Sequence, residues 1–423
     1  MSDPAATQPT VIKALGEPTV RVRGLFLAGM SLANLGIMLA FYTPIQNLLP
    51  RMSEKIAGAD GKEVALAVVL GIGVIGSVIG NPLAGALSDR TTSRFGRRRP
   101  WMLGGALIGF VGLSLLPSMT TVVGLTILWL FVQFSVNSSY AALTATIPDQ
   151  VPVEQRGVAS GWVGLAQTLG IVLGVALVSF VVLGLAPGYY LTAILFVLLV
   201  LPFMFILKDP KLDPADRPPF HMGTFLRGFW VSPKQYPDFA WAWLARFLVQ
   251  LAISMATLYL LFYLQDHLGF DSDEAAQKQT VLIALYAFGT MLTAVVGGAA
   301  SDRSGKRRIF VVVSTVVVAL AALLLAFTDQ FSLAAVAALI LGLGWGWYLA
   351  VDQALITQVL PAAVDRARDL GVINIANSLP QVLAPVIAAP IVTSLGGYPV
   401  LYVATAVVGL LGAAAVWPIK SVP

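Results

Sequence analysis

Long apolar runs alternate with short polar breaks along almost the whole chain. A helix needs about 20 apolar residues to cross the hydrocarbon core of a bilayer. That rule predicts twelve spans, at roughly 24–49, 63–88, 101–119, 121–147, 158–183, 188–207, 239–266, 279–301, 309–327, 331–359, 370–395 and 398–418. The breaks include MSEKIAGADGK at 52–62, PDQVPVEQR at 148–156 and SDRSGKRR at 301–308. The longest break, 208–238, is rich in proline and charge and reads as a linker between two groups of six spans. The pattern therefore predicts an all-α membrane protein with four parts: a disordered cytoplasmic tail at 1–20, a six-helix bundle at 21–207, the cytoplasmic linker at 208–238 and a second six-helix bundle at 239–423.

Composition agrees. Of 423 residues, 57% are hydrophobic and 11% charged, against about 25% charged in a soluble domain. Apolar surface on this scale needs lipid as its solvent. There is no cysteine, which excludes a disulfide framework or a thiolate metal site. The 2 histidines, His221 and His267, exclude a histidine-rich metal centre, and no cofactor is expected. The N-terminal MSDPAATQPT lacks the apolar core of a cleavable signal peptide. With both termini placed inside, 21 of the 26 Lys and Arg fall on cytoplasmic segments. That bias predicts an inner-membrane, multi-pass chain with cytoplasmic ends, and it accounts for the net charge of +5 without nucleic acid.

The two halves echo each other. GALSDR at 85–90 followed by GRRR at 96–99 matches GAASDR at 298–303 followed by GKRR at 305–308, each between the second and third span of its half. A fainter echo joins Val151-Pro152…Arg156 to Leu360-Pro361…Arg366. Such duplication is expected of transporters whose halves flank a central site. In the loop SDRTTSRFGRRRP at 88–100, Asp89 lies where a helix meets the cytoplasm, within reach of nearby arginines. Asp89, Arg90 and Arg97, with Asp302 and Arg303 in the second half, are candidates for a charged latch made in one conformation and broken in another. Clustered Arg98 and Arg99 are explained equally well by the inside-positive bias alone.

This loop resembles the signature of the major facilitator superfamily, which implies two pseudo-symmetric six-helix bundles. The fuller string TSRFGRRRP, with Asp369–Ala376 and Pro380-Gln381 on the eleventh span, is similar to the sucrose-transporter-like branch of the glycoside–pentoside–hexuronide:cation symporters. The resemblance implies uptake of a sugar or glycoside coupled to a cation, with the proton as the expected ion. Plant members carry an Arg and an Asp on the fourth helix; the corresponding Ala141 and Thr146 are uncharged, so sucrose itself and the plant coupling route are not implied.

Charge within the spans is scarce. A charge at mid-bilayer costs at least ~2.5 kcal/mol, so each one needs a reason. Only Arg246 and Asp352 lie well inside, at depths of about 10 Å and about 13 Å from the cytoplasmic face at 1.5 Å per residue. They are expected to pair and to carry the coupling proton or cation; the alternative is a structural pair holding the second half together.

Polar stripes mark a shared cavity. Gln133, Asn137, Tyr140 and Thr144 share a face of the fourth span, and Arg246, Gln250, Ser254 and Thr257 one of the seventh. Trp345, Tyr348 and Asp352 do so on the tenth, and Asn374, Asn377 and Gln381 on the eleventh. Asn34 on the first span and Gln167 on the fifth join them as candidate solute contacts. Amides suit a hydroxylated solute and Trp345 and Tyr348 offer stacking faces, but each amide serves equally well as helix-to-helix glue. Trp241, Trp243 and Trp417 read as interface anchors, and glycines 71, 73, 76 and 80 as close-packing positions. Gly71-Ile72-Gly73 and Gly342-Leu343-Gly344 have no preceding strand and are not nucleotide loops. No enzyme motif appears. The reading is a monomeric solute:cation symporter, embedded in lipid and taking a small-molecule solute with a proton. A proton-coupled exporter of drug-like or metabolite molecules is the nearest rival; a membrane sensor or scaffold would need an output domain larger than the linker.

Overall fold

In the computed structural model, residues 18–182, 184–217, 223, 233–304, 307–359 and 366–419 are described; their side chains are described except at 153, 216, 295–304, 307, 353–359, 366–374, 377, 378 and 382. Regular structure among the described residues is helical. In chain order the long helices are α1 (Gly24–Ala57), α2 (Lys62–Asp89), α3 (Arg99–Leu115), α4 (Val122–Gln150), α5 (Val153–Ala176), α6 (Leu185–Ile206), α7 (Pro237–Leu258), α8 (Ser272–Ser304), α9 (Arg307–Ala326), α10 (Phe331–Val359), α11 (Arg366–Ser394) and α12 (Gly397–Ala414).

Ten helices among the described residues are long and apolar enough to cross a membrane. The other two places are filled by α8 and α11. In α8 the side chains of 295–304, and in α11 those of 366–374, 377, 378 and 382, lie outside the described residues. Residues 218–222 and 224–232 of the predicted linker fall outside the described residues.

One boundary differs from expectation. The polar break at 52–62 is helical as far as Ala57, because α1 continues through a π-helical turn at Pro44–Leu48 into an amphipathic segment that buries Leu49, Met52 and Ser53. The seventh span breaks at Tyr259, resumes as a short α-helix at Leu260–Phe262 and ends in a π-helical turn at Tyr263–His267.

The halves pack alike. The first helix of each half, α1 or α7, lies against the fifth and sixth. The second, α2 or α8, lies against the fourth, and the third joins the fourth to the sixth. Between halves, α2 meets α11 and α5 meets α8. Small residues set the tightest contacts, as expected where lipid removes the hydrophobic drive between helices. A methyl group at Gly73 would collide with the Trp129 indole, and one at Gly80 would stand 2.9 Å from the Phe134 carbonyl. In the second half, one at Gly342 would collide with the Tyr286 backbone. Large apolar side chains such as Ile108, Phe205, Phe288 and Leu320 remain exposed, as lipid requires.

The ends of the bundle are called outer and inner after the charge distribution of the sequence. Among the described residues, polar side-chain contacts join the halves at the outer end. Arg51 pairs with Asp273 at 2.7 Å and Lys62 with Asp266 at 2.6 Å. Gln279 donates to the Gln46 carbonyl at 2.8 Å.

Candidate functional site

A cavity of about 410 Å³ lies between the halves. Its wall comes from α1, α2, α4 and α5 on one side and mainly from α7, α8, α10 and α11 on the other. The helical stripes bring polar groups to it: Gln133 and Gln167 from the first half, and Arg246, Gln250, Asp352 and Gln381 from the second. Apolar side chains fill much of the rest, among them Phe41, Ile45, Ile253 and Leu341.

Arg246 and Asp352 meet in this wall. Arg246 Nη1 stands 2.9 Å from Asp352 Oδ2, and both side chains are buried. The second carboxylate oxygen accepts from the Tyr348 hydroxyl at 2.8 Å, one helical turn back on α10. The Tyr348 ring stacks on Trp345, with centroids 5.3 Å apart and planes 14° from parallel. Tyr348 is thus committed on its hydroxyl and on one face, whereas Trp345 is only half-buried and keeps surface toward the cavity. Two opposite charges and a hydroxyl in a mainly apolar wall form a set whose charge balance changes with one proton.

Six of the eleven expected solute contacts line the cavity: Gln133, Gln167, Gln250, Trp345, Tyr348 and Gln381. Three stand elsewhere. Asn34 is fully buried and donates to the Val163 carbonyl at 2.8 Å, joining α1 to α5. Asn137 turns back along α4 and donates to the Gln133 carbonyl at 2.8 Å. Tyr140 packs against the apolar core. The side chains of Asn374 and Asn377 lie outside the described residues. The sequence reading missed Tyr42 and Gln46 on the first span and Tyr286 and Thr290 on the eighth, all in the wall. Each is an i, i+4 pair, so the same stripe test on those two spans would have found them.

The loop cluster at the inner end is built differently from expectation. Asp89 pairs with Arg98, not with Arg97. Arg98 also reaches Asp149 at 2.8 Å through Nε, and Arg97 reaches the same carboxylate at 3.1 Å. Both arginines are buried. Arg99 donates to the Leu207 carbonyl. Asp209 accepts from the backbone N–H of Arg98 at 2.6 Å and of Arg99 at 2.8 Å. Arg98 and Arg99 are therefore structural partners and not simply topology anchors. The group ties α2, α3, α4 and the end of α6 together within one half. Arg90 forms the C-cap of α2. The side chains of Asp302 and Arg303 lie outside the described residues. Trp241 and Trp417 are exposed near helix ends, and Trp243 stacks on Phe247 at 5.3 Å.

Comparison with known proteins adds three findings. The family model described as Major Facilitator Superfamily matches residues 22–282 and 275–423. The general alpha-glucoside permease of Schizosaccharomyces pombe is 34% identical over 118 residues, which is 24% of this chain and 21% of the permease. An uncharacterised symporter of Synechocystis is 62% identical over 39 residues, 9% of this chain and 7% of its own length. The matched parts thus cover well under two thirds of either relative. Among solved structures, the nucleoside transporter NupG superposes with a TM-score of 0.71 at 15% identity, over 94% of this chain and 99% of that one. The human organic anion transporter MFSD10 gives 0.68 at 17%, over 93% and 99%. At these identities the likeness shows the fold alone.

Proposed function

The chain belongs to the major facilitator superfamily, and on that premise we propose that it carries a sugar or glycoside across the cell membrane together with a proton, by alternating access. It is a membrane transporter and not an enzyme. The observation that carries the coupling part is the buried pair of Arg246 and Asp352 in the cavity wall, 2.9 Å apart. An ionisable pair at that depth costs stability and is functional by default. Asp352 is the proposed proton or cation carrier, and Arg246 its partner when the carboxylate is charged.

Three observations favour a hydroxylated solute over a lipophile. Gln133, Gln167, Gln250 and Gln381 converge on one cavity and supply both donors and acceptors. The half-buried Trp345 gives a sugar ring a flat apolar face. Methionine is absent from the described wall, whereas an adaptable site for drug-like molecules favours it. The partial likeness to an alpha-glucoside permease points the same way. With Arg51–Asp273, Lys62–Asp266 and Gln279–Gln46 joining the halves at the outer end, this conformation is read as closed to the outside. We place both termini on the cytoplasmic side of the inner membrane and take the working unit as a monomer.

The test is uptake by the purified protein in proteoliposomes, with a panel of mono- and disaccharides and glycosides, with and without an imposed pH gradient. Gradient-driven accumulation of at least one sugar is expected. Uptake of none of them, or accumulation unaffected by collapsing the gradient, rejects the reading.

A further inference from the structure

We infer that Glu63, Tyr398 and Asp266 form a proton-binding site at the outer end of the bundle, loaded when that end closes and separate from the Asp352 carboxyl. Glu63 belongs to the first half; Asp266 and Tyr398 belong to the second. The site therefore exists only while the two halves touch.

Two hydrogen bonds among three oxygens need two protons. The Tyr398 hydroxyl has one proton and faces two carboxyl oxygens, Asp266 Oδ2 at 2.6 Å and Glu63 Oε1 at 3.2 Å. The shorter contact takes the phenolic proton. The longer one then sets oxygen lone pairs face to face unless Glu63 carries a proton of its own and donates it to the phenol oxygen. The Lys62 ammonium, 2.6 Å from the other Asp266 oxygen, pairs best with a carboxylate, which leaves the second proton to Glu63. The arrangement that satisfies every partner is a chain: the Glu63 carboxylic acid donates to the Tyr398 hydroxyl, which donates to the Asp266 carboxylate, which also accepts from Lys62.

Charge leads to the same assignment. Lys62 is buried and has Asp266 at 2.6 Å and Glu54 at 3.7 Å. Two carboxylates already surround one ammonium, and Glu63 would be a third. The nearby Arg51 is engaged with Asp273 at 2.7 Å. Among the described residues, the remaining direct neighbours of the cluster are uncharged aromatic side chains. Tyr259 donates to the Glu63 main-chain oxygen at 3.1 Å, Tyr263 meets Tyr398 edge-on, and the Phe262 ring lies 4.8 Å from the Lys62 nitrogen. His267 beside Asp266 is paired with Asp329 at 3.2 Å.

The step balances. When the outer end opens, Glu63 is exposed and its O–H bond breaks, passing the proton to outside water. When that end closes, one proton is taken back and the Glu63–Tyr398 hydrogen bond reforms. Closing binds a proton, so lower external pH favours the closed form and higher external pH favours opening.

Two measurements test this on the full chain. Infrared spectra of the purified protein should lose one carboxylic-acid C=O band on Glu63→Gln, whether or not Asp352→Asn is also present. In intact cells, labelling of Thr168→Cys in the cavity wall by an impermeant thiol reagent, relative to Lys55→Cys on the exposed outer end of α1, should accelerate with external pH. The limit for one linked proton is about tenfold per pH unit. Both should be measured in the Asp352→Asn background, so that failure here is distinct from failure of the Asp352 reading. Glu63→Gln, whose amide keeps a donor toward Tyr398, should label slowly at all pH values. Tyr398→Phe should label fast with no pH slope. A C=O band that survives Glu63→Gln, or a pH slope unchanged by either substitution, overturns the site.

Discussion

Arg246 on α7 and Asp352 on α10 face each other at 2.9 Å across the wall of the central cavity, and Tyr348 holds the other oxygen of the same carboxylate. A carboxylate at that depth must be either paired or neutral. Movement that alters its distance from Arg246 changes which of the two is favoured. Asp352→Asn is always neutral and nearly isosteric. It is expected to bind solute and to exchange it across a liposome, and to fail to accumulate it against a gradient under an imposed pH difference. Normal accumulation by this variant would make the pair structural and place coupling elsewhere.

Arg246→Ala should be the more damaging single change. It leaves the Asp352 carboxylate buried with only Tyr348, and removing one partner of a buried pair costs about 3–5 kcal/mol. The double variant Arg246→Ala/Asp352→Asn removes both charges and should recover part of that loss. Thermal unfolding in detergent checks the order: the double variant should melt above Arg246→Ala. A double variant that melts lower than Arg246→Ala would mean that Asp352 finds another cation.

Much of this was readable from the sequence, for identifiable reasons. Lipid makes charge within a span so costly that two isolated ionisable residues, Arg246 and Asp352, stand out against apolar neighbours. Helical periodicity then places Gln133, Gln250 and Gln381 on faces that can meet. Periodicity does not say whether an amide points into a cavity or into a neighbouring helix. Asn34 and Asn137 share the signal, yet their donors are taken by the backbone oxygens of Val163 and Gln133. The inner loop was less legible still. Which arginine of the GRRR run meets Asp89 depends on the turn at Gly96. Its φ of +101° suits glycine, and a β-carbon there would run into the Asp209 carboxylate. Asp209 lies far along the chain and no pattern announces it.

Topology is open to direct labelling, because the chain has no native cysteine. Lys234→Cys sits in an exposed turn just before α7. It should be inert to an impermeant thiol reagent applied to intact cells and should react once the cells are opened. Lys55→Cys, on the opposite side in this orientation, should react in both. Reaction of Lys234→Cys from outside would invert the bundle, and with it the assignment of outer and inner ends.

The inner loop separates a residue that holds the fold from one that tunes the conformational balance. Arg98 is buried and binds three partners: Asp89, Asp149 at 2.8 Å and the Ser88 hydroxyl. Arg98→Ala strips all three contacts and leaves buried polar groups behind. Its cost should be about 3 kcal/mol, the low end for removing one partner of a buried pair, because Arg97 still reaches Asp149 at 3.1 Å. Asp89 differs: its side chain is 54% exposed, so water screens its pairing with Arg98. An exposed pair contributes no more than about 1 kcal/mol, so Asp89→Asn should barely move the melting temperature. Its effect should appear in turnover, because α2 meets α11 of the other half and α2 ends at Asp89. Slower transport with solute affinity within a few-fold of the parent is expected for Asp89→Asn, and a marked loss of thermal stability for Arg98→Ala. Equal destabilisation by the two substitutions would show that Asp89 is as much a part of the staple as Arg98, and that this loop is structural.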